Sequence, residues 1–480
     1  MTSPYFLRIW TLQEITIPRH VLVTVRDLVL RLDDFMAVAA VINAHTSAIS
    51  QSKTELAFCS DARWALKQLH EFRDAYHPEG NFKILNPELD PKLASSILSI
   101  GSWRRRCFDP RDQIYGLYGL LTQSGLNHLP PVDYSKPVAE VYEDMIKATV
   151  MFENSLAILS EEFSGLHKLD GSPSWVPDWS IESTNELVSC SIEGSFVAAP
   201  SSPLNVSFPS PKRISLTCKL VDTLDDVSTI SPGASWEVHS IDPSERVDRA
   251  KTTFSAYREW SQMVSNNNDS IHDSPNRMLA FFRTLTFGAD VETRTAPCRE
   301  AWGPGVDLRP FFEAFEVWSM IIDMKVLFPS RNVLDSVRDF IAERIGGLDE
   351  LVPEYGMSLR DCWAVSELQI ALAFKHPTRI SIGDKYLAVD EVKLRRLQTV
   401  LDRTTIGRKF FFTERGCMGL AYQEILAGDK VFLVAGMPFP VICRAVGDEW
   451  RFVAPAYVHG IMHGELWDDD EVPESIYTFA

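Results

Sequence analysis

The sequence predicts an α+β chain: a mainly helical N-terminal region and a β-rich C-terminal module, barrel- or sandwich-like, interrupted by a long helical insertion. Three observations carry this expectation. Apolar residues recur at helical spacing through most of residues 1–165. Short apolar runs punctuated by glycine fill residues 405–467. One cleanly alternating stretch, 212–220, stands far upstream of those runs and has the period of a strand. With 480 residues, 45% of them hydrophobic, the chain has ample material for a core.

Taken in order, residues 24–42 read as a helix. Thr24 and Asp27 give a capping pattern, and Leu28, Leu32, Phe35, Met36 and Ala39 share one face. A second helix is expected over 61–76, with Ala65, Leu69, Phe72 and Tyr76 as its stripe. In CFDPRDQIYGLYGLL, Asp109 can cap, Pro110 suits the first helical position, and Ile114, Leu117, Tyr118 and Leu121 point inward. Residues 138–152 form another amphipathic helix through Val138, Val141, Tyr142, Met145 and Phe152. Region 166–244 is a linker with a β segment. Within it, Pro173, Trp175, Pro177 and Trp179 make a rigid irregular stretch suited to plugging a seam.

In the strand 212–220, Ile214, Leu216, Cys218 and Leu220 face one way, opposite Ser215, Thr217 and Lys219. This strand is expected to join the C-terminal sheet, which makes 245–404 a helical insertion. Within that insertion 264–277 is a polar loop, and 308–402 carries stripes such as Phe311, Phe315, Trp318 and Ile322. The 405–467 module is antiparallel. Residues 468–480 read as a solvated acidic tail.

Charge narrows the partners. The chain has 47 basic and 65 acidic side chains, a net of −18, which opposes bulk attraction to nucleic acid or anionic lipid. No apolar window reaches the ~18 residues of a membrane span. The cysteines (59, 107, 190, 218, 298, 362, 417 and 443) lie far apart without a C-x-x-C pair. They read as reduced core residues of a cytoplasmic protein.

Chemistry-bearing motifs are scarce. There is no P-loop, H-E-x-x-H, G-x-S-x-G or dinucleotide fingerprint. His459 and His463 stand four apart with Glu465 beyond, but two glycines and a preceding strand make a strand end the better reading than a metal site. Arg104, Arg105 and Arg106 could clamp an anion, yet Asp109 and Asp112 close by favour pairing within the chain. Glu14 follows Trp10 in RIWTLQE. By itself it reads as a solvated or paired helix residue rather than a rim carboxylate tuned for acid–base work.

Several segments together resemble the fungal heterokaryon-incompatibility (HET) family. PYFLRIWTLQEI is similar to the end of its HET domain, with an Arg-x-Trp-x-x-Gln-Glu pattern over residues 8–14. DPRDQIYGLYGLL, PPVDYSKPVAEVY and PSWVPDWS resemble the segments that follow, and RKFFFTERGCMGL, GDKVFLVAG, FPVICR and AYVHGIMHGE resemble the C-terminal region. The family's opening Leu-Ser-Tyr-x-Trp-Gly and Cys-Ile-Asp-Gln-type motifs do not occur. The chain therefore looks like a HET-family protein lacking most of the HET domain.

The resemblance implies a role in fungal non-self recognition and cell death through protein partners, including a full-length relative. The alternative it implies is an NAD-cleaving effector of TIR-like fold, because Glu14 follows Trp10 at the TIR spacing. A lone carboxylate cannot hold a dinucleotide and stabilise its transition state. The expectation is therefore a non-enzyme with no catalytic residue, cofactor or metal, and with Glu14 as the sole candidate.

Overall fold

The computed structural model describes residues 4–35 apart from 26, and parts of 68–77 and 93–110. It also describes 111–160, 169–180, 196–199, 204–233, most of 252–288, four short strands between 351 and 388, 401–467 apart from 403, and 472–480. The principal helices are α1 (Ile9–Thr16), α2 (Ala94–Ser102), α3 (Asp112–Tyr115), α4 (Tyr118–Gln123), α5 (Val138–Glu153) and α6 (Ser274–Thr286). No described helix is long and apolar enough to cross a membrane.

Helix α5 starts at Pro137, whose fixed φ suits the entry, and ends where Asn154 takes the left-handed conformation at φ 50°. Its inner face is Val141, Tyr142, Met145, Ile146 and Val150; Phe152, expected on that face, is exposed. The next helix ends are served by side chains. Glu153 accepts the Ser95 amide at 2.8 Å, at the start of α2. Arg73 donates to the carbonyls of Ile15, Pro18 and Arg19 at 2.8–2.9 Å, satisfying one acceptor in the last turn of α1 and two in the loop beyond it.

The helix expected at 24–42 is corrected. Leu22–Val25 (β1) and Leu28–Arg31 (β2) form an antiparallel hairpin, and only residues 32–35 are helical; 36–42 lie outside the described residues. Val21, Val23, Thr24, Val25 and Val29 are β-branched, and that stiffness outweighs the helical spacing of the leucines. The residues of the helix expected at 61–76 are described from 68 onward and are helical at 68–69 and 71–76.

The main sheet has eight strands. They are β3 (Val206–Ser207), β4 (Ile214–Val227), β9 (Arg408–Thr413), β10 (Met418–Tyr422), β11 (Lys430–Val434), β12 (Val441–Val446), β13 (Glu449–Val458) and β14 (Ser475–Phe479). Pairings β4–β11–β12–β13–β10–β9–β4 close a ring, while β14 adds a second link between β13 and β4. The result is barrel-like without being a simple barrel. The upstream strand does join it, running on to Val227 and bulging at Val221, where Val431 faces Asp222 and Phe432 faces Leu220.

Each wall of the ring explains an apolar run. On β9, Phe411 faces the interior with Ala421, Leu433 and Ile442, whereas Phe410 and Phe412 pack outward on Trp260, Phe281 and Leu285 of the 252–288 helices. On β11, Val431 and Leu433 face in, while Phe432 and Val434 join the core of the N-terminal helices. Strands buried on both faces read as continuous rather than alternating apolar sequence.

Three further expectations change. The end of the expected acidic tail is strand β14, paired with β4 from Ser475 to Phe479, and Phe479 is fully buried. Within the stretch expected to be a helical insertion, β5 (Leu351–Val352) pairs β6 (Met357–Ser358), and β7 (Arg379–Ile382) pairs β8 (Lys385–Ala388). Helix α6 begins at Ser274, inside the stretch expected as a polar loop. The stripe Phe311–Ile322 lies outside the described residues.

Trp175 fills the seam between helices and sheet. It is fully buried and donates Nε1–H to the Lys212 carbonyl at 3.3 Å. Next to it, the Ser174 amide donates to the Ala480 carbonyl at 3.0 Å, and Ser174 Oγ accepts the Phe452 amide at 3.0 Å.

Candidate functional site

Helix α1 presents the RIWTLQE segment. Ile9, Leu12 and Ile15 are buried, so the 3.6-residue turn throws Glu14 to the outside. Glu14 is exposed, and its Oε2 accepts the Tyr5 hydroxyl at 2.7 Å. Burial, followed by that carboxylate, raises the Tyr5 pKa. Trp10 is half-buried against the core. Gln13 acts differently. Its Oε1 accepts the Gly119 amide at 3.2 Å, an approach that a side chain at 119 would block. Within one motif, the glutamine ties α1 to α4 while the glutamate faces water.

Among the described residues, a polar constellation lies on the Cys107–Asp112 turn and the 130–136 loop. Asp109 Oδ1 accepts the Arg111 amide at 3.0 Å and its Nε–H at 2.9 Å, while Arg111 Nη2 reaches Asp109 Oδ2 at 2.8 Å. Arg111 Nη1 donates to the carbonyls of Tyr134 and, at 2.9 Å, Lys136. Tyr134 gives its hydroxyl to Asp112 at 2.6 Å, Tyr118 to the Pro130 carbonyl at 2.8 Å, and Tyr142 to the Pro110 carbonyl at 2.7 Å. Tyr142 meets Trp179 edge-on at 5.1 Å. Three segments distant in sequence, 107–118, 130–136 and 174–179, are thereby joined.

The chemistry of this cluster is that of a knot. Arg111 spends nearly all its donors on chain atoms, which leaves little for a ligand. Its hydrogen bonds hold the Asp109 carboxyl below the usual range. The hydrogen bond to Asp112 pushes Tyr134 up to about 12. Burial, followed by Asp112 and Asp109, pushes the Cys107 thiol up to about 11, so it stays protonated at neutral pH and is a poor nucleophile. Beside it Phe108 stands fully in solvent, with Val132 and Tyr134 also exposed.

Within the arginine run, Arg105 bonds to other groups of the chain. Arg105 is buried, donates Nε–H to Gln68 Oε1 at 2.8 Å, and reaches the Phe6 carbonyl at 2.5 Å. Burial pulls its pKa down to about 9, still far enough above neutrality to leave it charged. Arg106 makes a backbone bridge to Arg8. Arg111 holds Asp109; Arg104 lies outside the described residues.

His459 and His463 follow strand β13. The His459 amide donates to the Met418 carbonyl at 2.8 Å, the His463 amide to Glu465 Oε2 at 2.7 Å, and the His463 ring lies 5.6 Å from Phe196. Among the described residues no three His, Cys, Asp or Glu side chains are placed to share a metal ion.

Sequence reasoning missed the buried polar anchors. Asp429 is 3% exposed and takes a bidentate pair from Arg444 at 2.7 and 2.8 Å. Lys219, expected on the face opposite Cys218 and Leu220, is buried over the Trp467 ring and donates to its carbonyl at 2.6 Å. A lysine among apolar strand residues was the available signal for the second; nothing local marks the first.

With this geometry in place, comparison adds one match. Residues 368–477 match the family model of the Het-6 beta-barrel domain. That range covers β7 to most of β14, begins upstream of 405, and leaves out β4, although β4 is central to the sheet. The chain therefore carries a heterokaryon-incompatibility-related domain. No curated protein and no solved structure matches it.

Proposed function

We propose that the chain is a heterokaryon-incompatibility-like protein of fungal non-self recognition and its attendant cell death. It acts in the cytoplasm by binding other proteins, a full-length HET-family relative among them. The observation that carries this reading is the Het-6 beta-barrel match at 368–477. Two features support binding over catalysis. The motif residues Asp109, Arg111 and Gln13 are committed to one another and to backbone. Glu14, which the alternative NAD-cleaving reading needs at an enclosed site, is exposed and hydrogen-bonded to Tyr5.

The test is affinity capture from fungal cells before and after fusion, with NAD measured in parallel. Specific recovery of HET-family proteins with NAD unchanged fits the proposal. Absence of any such partner in every fusion state argues against it.

A further inference from the structure

The hairpin β1–β2 turns apolar side chains outward from both of its strands. Val23 and Leu30 pack against the core, while Leu22, Leu28 and Val29 are 66%, 63% and 60% exposed. Among the described residues no strand pairs with the outer edge of β2. Two-stranded hairpins are marginal in water, and an open apolar edge is a template for another strand. The Leu32 amide donates to the Val21 carbonyl at 2.9 Å. Antiparallel alternation then turns the amides and carbonyls of Leu28 and Leu30 toward β1 and directs those of Val29 and Arg31 outward.

We infer that this edge pairs with β2 of a second copy of the chain, about a two-fold axis at Val29. Charge complementarity selects both the occupant and the register. Centred on Val29, the antiparallel pairing sets Leu28 against the second copy's Leu30, and Asp27 against its Arg31, each contact occurring twice. Centring on Arg31 would oppose two arginines, and centring on Asp27 two aspartates. Of the registers that use outward-facing groups, the Val29 one sets opposite charges against each other, whereas centring on Leu28 faces Asp27 with an apolar Val29. Arg31 can be recruited to this contact: its pair with Asp33 is 3.5 Å long and both side chains are more than half exposed. The net charge of −18 opposes contact between copies over most of the surface, whereas here Asp27 and Arg31 balance. The inference stands independently of the function proposed above.

Sedimentation velocity of the full chain over a concentration series tests it. A reversible dimer is expected, weakened about tenfold in Kd by Asp27→Arg or Arg31→Asp, since each creates two like-charge oppositions. The double variant restores the dimer, and mixing the two single variants yields a heterodimer because the charges again match. Circular dichroism checks that the variants fold. A chain that stays monomeric at all concentrations, or a dimer indifferent to these exchanges, overturns the inference; so does capture of a different strand-bearing partner in place of a second copy.

Discussion

Gly419 lies directly across the ladder from Phe411, and the phenyl ring occupies the space a Cβ would need. The ring is fully buried inside the closed sheet, so it has no easy retreat. Gly419→Ala should destabilise the chain by about 1–3 kcal/mol in urea unfolding, as overpacking does. Gly233→Ala, where nothing lies within 4 Å, should stay within about 0.5 kcal/mol. Equal effects at the two positions would contradict this packing. Other single residues decide chemistry by exclusion: the Cys218, Cys417 and Cys443 thiols are buried and shifted upward by that burial, so they remain protonated packing groups.

Among the elements, the Trp175 segment packs between helices and sheet. Replacing Trp175 with alanine should cost about 3–5 kcal/mol in chemical unfolding, as loss of a large buried aromatic does. A loss near zero would mean that the helical layer and the sheet are held elsewhere. This element was legible because alternating proline and tryptophan admits few other uses. Helix α5 was legible too, with a proline start and an unbroken stripe. The β1–β2 hairpin was not, because the helical spacing of Leu28, Leu32 and Phe35 competes with the β-branched signal of Val21, Val23, Thr24, Val25 and Val29. Strand β14 was obscured by neighbouring acidic residues; its fit depends on β4, which lies far upstream in the chain. The candidate site was half legible: Asp109 and Pro110 announce a helix start, but the partners of Arg111 in the 130–136 loop are a tertiary outcome.

At the scale of the whole molecule, a closed sheet carries helices on two walls, and ion pairs tie distant parts of the chain together. Arg213 on β4's approach binds Glu449 on β13 and holds that carboxyl below its ordinary range. Because the folded value lies below the unfolded one, the pair adds stability above the carboxylate range and loses it as pH falls through the folded value. Melting temperatures of the native chain and Glu449→Gln should therefore differ slightly at neutral pH, as befits an exposed pair. The difference should vanish in acid. A gap that widens on acidification would reverse the sign.

On the function proposed above, this chain binds other proteins and does no chemistry with Glu14. The most direct measurement is cellular NAD in fusing fungal cells that express either the native chain or Glu14→Gln. The same NAD level and the same incompatibility response are expected for both. A fall in NAD with the native chain, abolished by the substitution, would contradict it.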